Sequence, residues 1–127
     1  MGNMSQSAIL IDDNALFLNL LSNQLATLGV AVSQARDKEE LLAHLETDWF
    51  DWAFIDAHLE DGECGLQLAN ILREQQPLHE QPCQLIGMSG DEICASRYAT
   101  VGIETYFVKP ISLHQLQALL CASSKKD

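Results

Sequence analysis

The sequence contains few basic residues, and this scarcity excludes several functions. Seven Lys and Arg residues stand against 18 Asp and Glu residues in a chain of 127, which gives a formal net charge of −11. Direct binding of nucleic acid or of an anionic membrane requires clustered Lys and Arg, so we expect neither. Most of the acidic excess is expected to be solvated surface, but it also suits a pocket of carboxylates that binds a cation.

Long apolar runs, secretion signals and paired cysteines are also absent from the sequence. No apolar stretch approaches the roughly 20 residues of a membrane-spanning helix, and no signal-peptide pattern opens the chain. Gln6 stands where a myristoylation signal needs Ser or Thr. The cysteines form no Cys-x-x-Cys pair, so neither a zinc site nor a redox motif is indicated. These features predict a cytoplasmic protein with reduced thiols and no membrane insertion.

Short apolar segments alternate along the chain with segments whose leucines recur at helical spacing. Trp52-Ala53-Phe54-Ile55-Asp56 is an apolar run that ends in one carboxylate, and its length predicts a strand buried on both faces. The predicted strands are residues 7–11, 30–35, 52–56, 85–88 and 105–108. A helix is predicted after each strand, with N-caps at Asp13 or Asn14, at Asp37 and at Ser112, and with a short fourth helix at about 92–100. The predicted apolar stripe of the first helix is Leu16, Phe17, Leu20, Leu21, Leu25 and Leu28.

This alternation predicts one α/β domain, a (βα)5 sandwich in which a five-stranded parallel sheet lies between two layers of helices. The domain is expected to span residues 7–121, with frayed termini at 1–6 and 122–127. In the flavodoxin-like strand order 2-1-3-4-5, strands 1, 3, 4 and 5 are neighbours and their carboxyl ends share one edge. The residues at those ends are Asp12, Asp13, Asp56, Ser89 and Lys109. We therefore expect these side chains to converge on one pocket.

Four short motifs stand at these strand ends: Ile9-Leu10-Ile11-Asp12-Asp13-Asn14, Phe54-Ile55-Asp56, Met88-Ser89-Gly90 and Phe107-Val108-Lys109-Pro110-Ile111. Together they resemble the receiver domain of bacterial two-component response regulators. The resemblance covers nearly the whole chain, and the four motifs in this order and spacing are specific. It implies that the protein is a signalling module and not an enzyme. The only chemistry of such a module is self-catalysed phosphotransfer and autodephosphorylation.

The resemblance also implies a role for each residue of the pocket. Asp56 would accept a phosphoryl group from a phosphohistidine of a sensor histidine kinase or, in a phosphorelay, of a histidine phosphotransfer protein. Mg²⁺, or Mn²⁺, would be bound by Asp13, Asp56 and the backbone carbonyl of His58, with Asp12 helping through water. Carboxylates packed together repel one another and favour a bound cation, which is consistent with this site.

Lys109 and Ser89 would act on the phosphoryl group itself. The resemblance implies that the Lys109 ammonium stabilises charge on the transferring oxygens and that Ser89 donates a hydrogen bond to the phosphoryl group. Ser89 would then move toward the phosphoaspartate and Tyr106 would swing inward, changing the surface formed by the fourth helix, the fifth strand and the last helix. The alternative for Tyr106 is a half-buried aromatic on an edge strand.

Three departures from the receiver pattern leave the lifetime of the phosphorylated form open. Gly65 lies nine residues after Asp56 where the usual glycine lies eight after, and Glu60 replaces a common proline. His58 occupies a position that tunes water access to the phosphoaspartate. The context of the domain is also open. It is either a single-domain regulator or a receiver cut from a hybrid kinase or a larger regulator. Its output would pass through a protein effector, a missing output domain or a homodimer.

Other functions compete with the receiver interpretation. A phosphatase of the haloacid dehalogenase type needs a second Asp two residues after its nucleophile, where His58 stands. A flavodoxin-like electron carrier needs a phosphate-binding loop after strand 1, where Asp12 and Asp13 would repel the phosphate. A phosphorylation-independent pseudo-receiver that acts only by docking is the third alternative, and the retained Asp56 and Lys109 argue against it.

Overall fold

A single parallel sheet organises the fold. The computed structural model describes residues 6–12, 14–48, 50–56, 68, 70–72, 74, 83–89, 103, 105–108 and 111–124. Within these residues five strands pair in the order β2-β1-β3-β4-β5, and every pair is parallel. The strands are β1 (Gln6–Ile11), β2 (Val30–Ala35), β3 (Trp52–Asp56), β4 (Gln84–Ser89) and β5 (Thr105–Val108). The predicted flavodoxin-like strand order is confirmed.

Three helices with defined bounds pack on this sheet, and local sequence signals explain where they start and stop. They are α1 (Ala15–Thr27), α2 (Lys38–Leu45) and the C-terminal helix (Leu113–Ser124). Asn14 caps α1, because its side-chain Oδ1 accepts the Phe17 N–H at 3.1 Å. Gly29 ends the helix with a φ of 86°, a conformation that costs glycine little.

The other two helices begin with capping interactions that the sequence predicts. The Asp37 side chain accepts the Glu40 N–H at 2.9 Å, and Glu40 Oε1 accepts the Arg36 N–H at 2.7 Å. Ser112 and Gln115 form a reciprocal capping box, with the Gln115 N–H to Ser112 Oγ at 3.1 Å and the Ser112 N–H to Gln115 Oε1 at 2.9 Å. In the part of the chain described here, no helix is long and apolar enough to cross a membrane.

The sheet separates two apolar cores, since side chains alternate between its faces. Ile9 and Ile11 of β1 lie in the core shared with α2, whereas Ala8 and Leu10 lie in the core shared with α1 and the C-terminal helix. All of β3 is buried, as expected for a central strand covered on both faces. Leu68, residues 70–72 and Glu74 have helical backbone, and Leu68 and Leu72 pack into the α2-side core.

The predicted apolar stripe of α1 is wrong in part. Leu18, Leu21 and Leu25 are buried, whereas Leu16 is 82% exposed and Leu20 is 48% exposed. Each exposed leucine lies two positions from Leu18, which is about 200° around a helix of 3.6 residues per turn. Leucine is so frequent in this helix that spacing alone does not identify the buried face.

The predicted fourth helix and the predicted limits of the domain both remain predictions. The fourth helix at about 92–100 lies outside the described residues. Regular structure extends beyond the predicted domain limits of 7 and 121, because β1 begins at Gln6 and the C-terminal helix ends at Ser124.

Candidate functional site

Two buried carboxylates lie side by side at the carboxyl edge of the sheet. Ile11 of β1 pairs with Ile55 of β3, so Asp12 and Asp56 occupy the next equivalent positions on adjacent strands, which lie about 4.8 Å apart. Asp12 is fully buried and Asp56 is 6% exposed. In the described part of the chain these are the buried polar or charged side chains.

Asp12 is held between the second strand and the first helix. Its backbone N–H donates to the Ala35 carbonyl at 3.1 Å, and its side-chain Oδ1 accepts the Asn14 N–H at 2.9 Å. Asn14 in turn caps α1 through the Phe17 N–H. The start of α1 therefore fixes the Asp12 carboxylate.

The Asp12–Asp56 arrangement suits a divalent cation. Burying one carboxylate is costly, and burying a second beside it adds repulsion that a cation relieves. Hard carboxylate oxygens are the ligands that Mg²⁺ prefers. The other predicted ligands, Asp13 and His58, lie outside the described residues, and within those residues no group of three or more potential metal ligands comes together.

The remaining predicted site residues lie on or after the next two strands. Ser89 is the last residue of β4 and pairs with Val108, the last residue of β5. Lys109 follows Val108 in the chain but lies outside the described residues. The strand order thus brings the ends that carry Asp12, Asp56 and Ser89 together, with the end of β5 beside Ser89.

Tyr106 lies in the edge strand β5 and is 41% exposed. Its register partner is Gly87 of β4, which is buried and has no side chain. This position matches the alternative interpretation of Tyr106 as a half-buried aromatic on an edge strand. An inward movement of the side chain would bury the part that is now exposed.

Sequence reasoning missed one long-range contact near this edge. The Gln24 side chain on α1 donates from Nε2 to the Ile111 carbonyl at 2.9 Å. Ile111 is 2% exposed and follows Lys109 and Pro110 in the chain. The signal in the sequence is weak: Gln24 is a polar residue directly before the buried Leu25.

Comparison with known families decides the assignment. The model of the response regulator receiver domain matches residues 8–121. The chain belongs to this receiver domain family. The receiver is a signalling module, and the family that the four motifs indicated is confirmed.

Relatives of this receiver agree in family and fold. The response regulator protein PilR of Pseudomonas aeruginosa is 26% identical over 118 residues, which cover 93% of this chain and 26% of PilR. A two-component response regulator from Clostridium difficile has a TM-score of 0.83 at 22% identity, covering 96% of this chain and 98% of that one.

A response regulator from Burkholderia pseudomallei was crystallised with a phosphorylated aspartic acid, a calcium ion and citrate. It is 25% identical, with a TM-score of 0.78, covering 95% of this chain and 74% of that one. This receiver spans 26%, 53% and 46% of the lengths of three curated relatives it matches, so those proteins are longer than the chain described here.

Proposed function

We propose that this receiver accepts a phosphoryl group on Asp56 from a phosphohistidine of a sensor histidine kinase or histidine phosphotransfer protein. The observation that carries the proposal is the position of Asp56: nearly buried, at the carboxyl end of the central strand, beside the buried Asp12. The phosphorylated aspartic acid in the Burkholderia pseudomallei regulator supports it.

The transfer is a displacement at phosphorus. A carboxylate oxygen of Asp56 attacks, a P–O bond forms as the P–N bond of the phosphohistidine breaks, and the imidazole nitrogen leaves with the electron pair and takes up a proton. Asp56 is nearly buried and its backbone belongs to the central strand β3, so we expect little ordering to be needed when the donor arrives. Lys109 would neutralise charge on the phosphoryl oxygens, and Ser89 would donate a hydrogen bond to them.

Asp12, Asp13, Asp56 and the His58 carbonyl would hold Mg²⁺ or Mn²⁺. The bound ion would supply positive charge beside the oxygens of the transferred group. The buried, adjacent carboxylates of Asp12 and Asp56 fit this requirement, since both supply hard oxygen donors at one point. The calcium ion in the Burkholderia pseudomallei structure is in keeping with a divalent site.

Ser89 and Tyr106 would transmit phosphorylation to the surface of the domain. Ser89 moving toward the phosphoaspartate would vacate space into which Tyr106, now 41% exposed, turns inward. If the phosphoryl group stabilises the switched conformation over the unswitched one by a few kcal/mol, the populations of the two conformations shift. The changed surface of β5 and the C-terminal helix would then bind a protein effector, an output domain or a second receiver.

The test is phosphorylation by acetyl phosphate, followed by intact mass. We expect the wild-type chain to gain one phosphoryl group only when Mg²⁺ is present, and Asp56→Asn to gain none. Asp51→Asn is the matched control, because Asp51 lies at the other end of the same strand; we expect it to be labelled like wild type. A folded wild-type protein that gains no mass would refute the proposal and would favour the pseudo-receiver that docks without phosphorylation.

A further inference from the structure

We propose that Gln24 is a positioning residue for the lysine step of the phosphoryl transfer, acting by holding the chain directly after Lys109 and Pro110. This inference rests on the proposed function. Gln24 Nε2 donates to the Ile111 carbonyl at 2.9 Å across 87 residues of sequence. The contact joins α1 to the segment between β5 and the C-terminal helix.

Ile111 is fixed by more than this hydrogen bond. Its side chain is 2% exposed and packs in the α1-side core with residues of α1 and the C-terminal helix. The next residue, Ser112, is held by its reciprocal capping box with Gln115. Gln24 adds the constraint on the main-chain carbonyl, which side-chain packing does not provide.

The described residues on either side of Lys109 and Pro110 are both held in place. Val108 pairs with Ser89 in the sheet, and Ile111 is anchored on α1. A two-residue connection spans only a short distance, so holding both of its ends restricts where a side chain on it can reach. A displacement of about 1 Å in a charged group at a reaction site can lower the rate by up to roughly 100-fold. We therefore expect loss of the Gln24 contact to lower the rate of phosphorylation.

Helix α1 therefore connects both halves of the proposed site. At its start, Asn14 caps the helix and donates its N–H to Asp12; nearly three turns further on, Gln24 contacts the segment after Lys109 through the Ile111 carbonyl. A single rigid helix sets the acidic side and the lysine side relative to each other. Gln24 touches neither the phosphoryl group nor the metal in this account, and it acts only through the backbone.

The experiment measures the rate of phosphorylation by acetyl phosphate at saturating Mg²⁺. Gln24→Glu keeps the length but removes the donor and places a carboxylate against a carbonyl; Gln24→Met removes the donor without adding charge. We expect the rate to fall by about tenfold in both, with the Mg²⁺ concentration for half-maximal rate unchanged. Gln24→Lys keeps a donor and should recover most of the rate.

Gln34→Glu is the charge-matched control. Gln34 also donates from Nε2, to Ser22 Oγ on α1 at 2.8 Å, and among the described residues its side-chain hydrogen bonds go to α1 and not to the segment after Lys109. We expect a wild-type rate for this variant. Urea unfolding of each variant establishes that the compared proteins are folded.

A double-mutant cycle with Lys109→Ala shows whether Gln24 acts through the lysine. We expect Gln24→Met to slow the wild-type chain but to have no further effect when Lys109 is already alanine. Wild-type rates for the Gln24 variants, or equal slowing with and without Lys109, would overturn the inference while leaving the proposed function intact. Absence of labelling in the wild type would refute the proposed function, and with it this role of Gln24.

Discussion

Strand β3 is bounded by a carboxylate at each end, and the two have different surroundings. Asp51, just before the strand, accepts the Ser7 N–H on Oδ2 at 2.9 Å. Its own N–H donates to the Ser7 carbonyl at 3.0 Å, and its carbonyl accepts the Gln84 N–H at 2.9 Å. Asp51 therefore joins β1, β3 and β4 at the amino edge of the sheet, and the Ser7 N–H partly compensates the charge of its carboxylate.

Asp56, at the other end, lies beside a second carboxylate instead. Asp12 and Asp56 are both buried on adjacent strands, so the fold places like charges together there, whereas the Asp51 carboxylate accepts a backbone hydrogen bond. Such an arrangement costs stability and is retained where function requires it. An aspartate at a strand end is thus an ordinary structural feature, and a second buried carboxylate beside it distinguishes the proposed site.

The largest predicted difference between the two edges concerns the cation. Asp12→Asn removes one of two adjacent negative charges, so the Mg²⁺ concentration for half-maximal phosphorylation should rise by about 10- to 100-fold. Asp51→Asn removes a charge from the opposite edge and should leave it unchanged. A Mg²⁺ titration of the phosphorylation rate measures both; equal effects of the two variants would mean that total charge, not position, governs metal binding.

Stability should change in opposite directions at the two edges. Asp51→Ala removes the hydrogen bond from the Ser7 N–H to the carboxylate and should lower the free energy of unfolding by about 1–2 kcal/mol. Asp56→Asn relieves repulsion with Asp12 and should raise it by about 1 kcal/mol in the absence of Mg²⁺. Urea denaturation without divalent ions measures both values. A marked loss of stability in Asp56→Asn would show that Asp56 also supports the fold.

The smallest predicted effect concerns Cys83, which lies near Asp51 at the amino edge. Burial, with the negative charge of Asp51, raises the pKa of the Cys83 thiol from 9.0 to about 12. The folded state therefore keeps this proton between about pH 9 and pH 12 while the unfolded chain loses it. The free energy of unfolding should accordingly fall as the pH rises through that window, and Cys83→Ala should lessen the fall.

Alkylation gives a second measure of the same thiol. In a Cys64→Ser, Cys94→Ser background at pH 8, the exposed Cys121 should react at least about tenfold faster than Cys83. Adding Asp51→Asn should speed Cys83 by a few-fold, since the smaller cause of its raised pKa is gone. Faster reaction of Cys83 than of Cys121 would contradict this view of the amino edge.

The sequence predicts the parts of this fold that depend on local signals. The bounds of β2, β3 and β5, the caps at Asn14 and Asp37, and the Ser112–Gln115 capping box follow from apolar runs and capping chemistry. The alternation of strands with helices predicts a parallel sheet, and the order 2-1-3-4-5 is the one expected for a flavodoxin-like fold. The grouping of Asp12, Asp56 and Ser89 at one edge then follows from that order.

What the sequence does not predict depends on contacts distant in the chain. The exposed Leu16 and Leu20 are chemically identical to the buried Leu18 and Leu21, and only the packing of α1 on the sheet separates them. The Gln24–Ile111 hydrogen bond joins residues that are 87 positions apart in the chain, so no local pattern predicts it. The roles of all the predicted site residues remain predictions for the same reason, since each role depends on the surroundings of the residue and not on its type: Asp12, Asp13, Asp56, His58, Ser89, Tyr106 and Lys109.

The most direct test of the central claim is to locate the phosphoryl group on the chain. The protein is labelled with acetyl phosphate and Mg²⁺, reduced with borohydride, which converts an aspartyl phosphate into homoserine, and sequenced by tandem mass spectrometry. We predict homoserine at position 56 and unmodified aspartate at positions 12, 13 and 51. Homoserine at any of those positions, with Asp56 unmodified, would contradict the account.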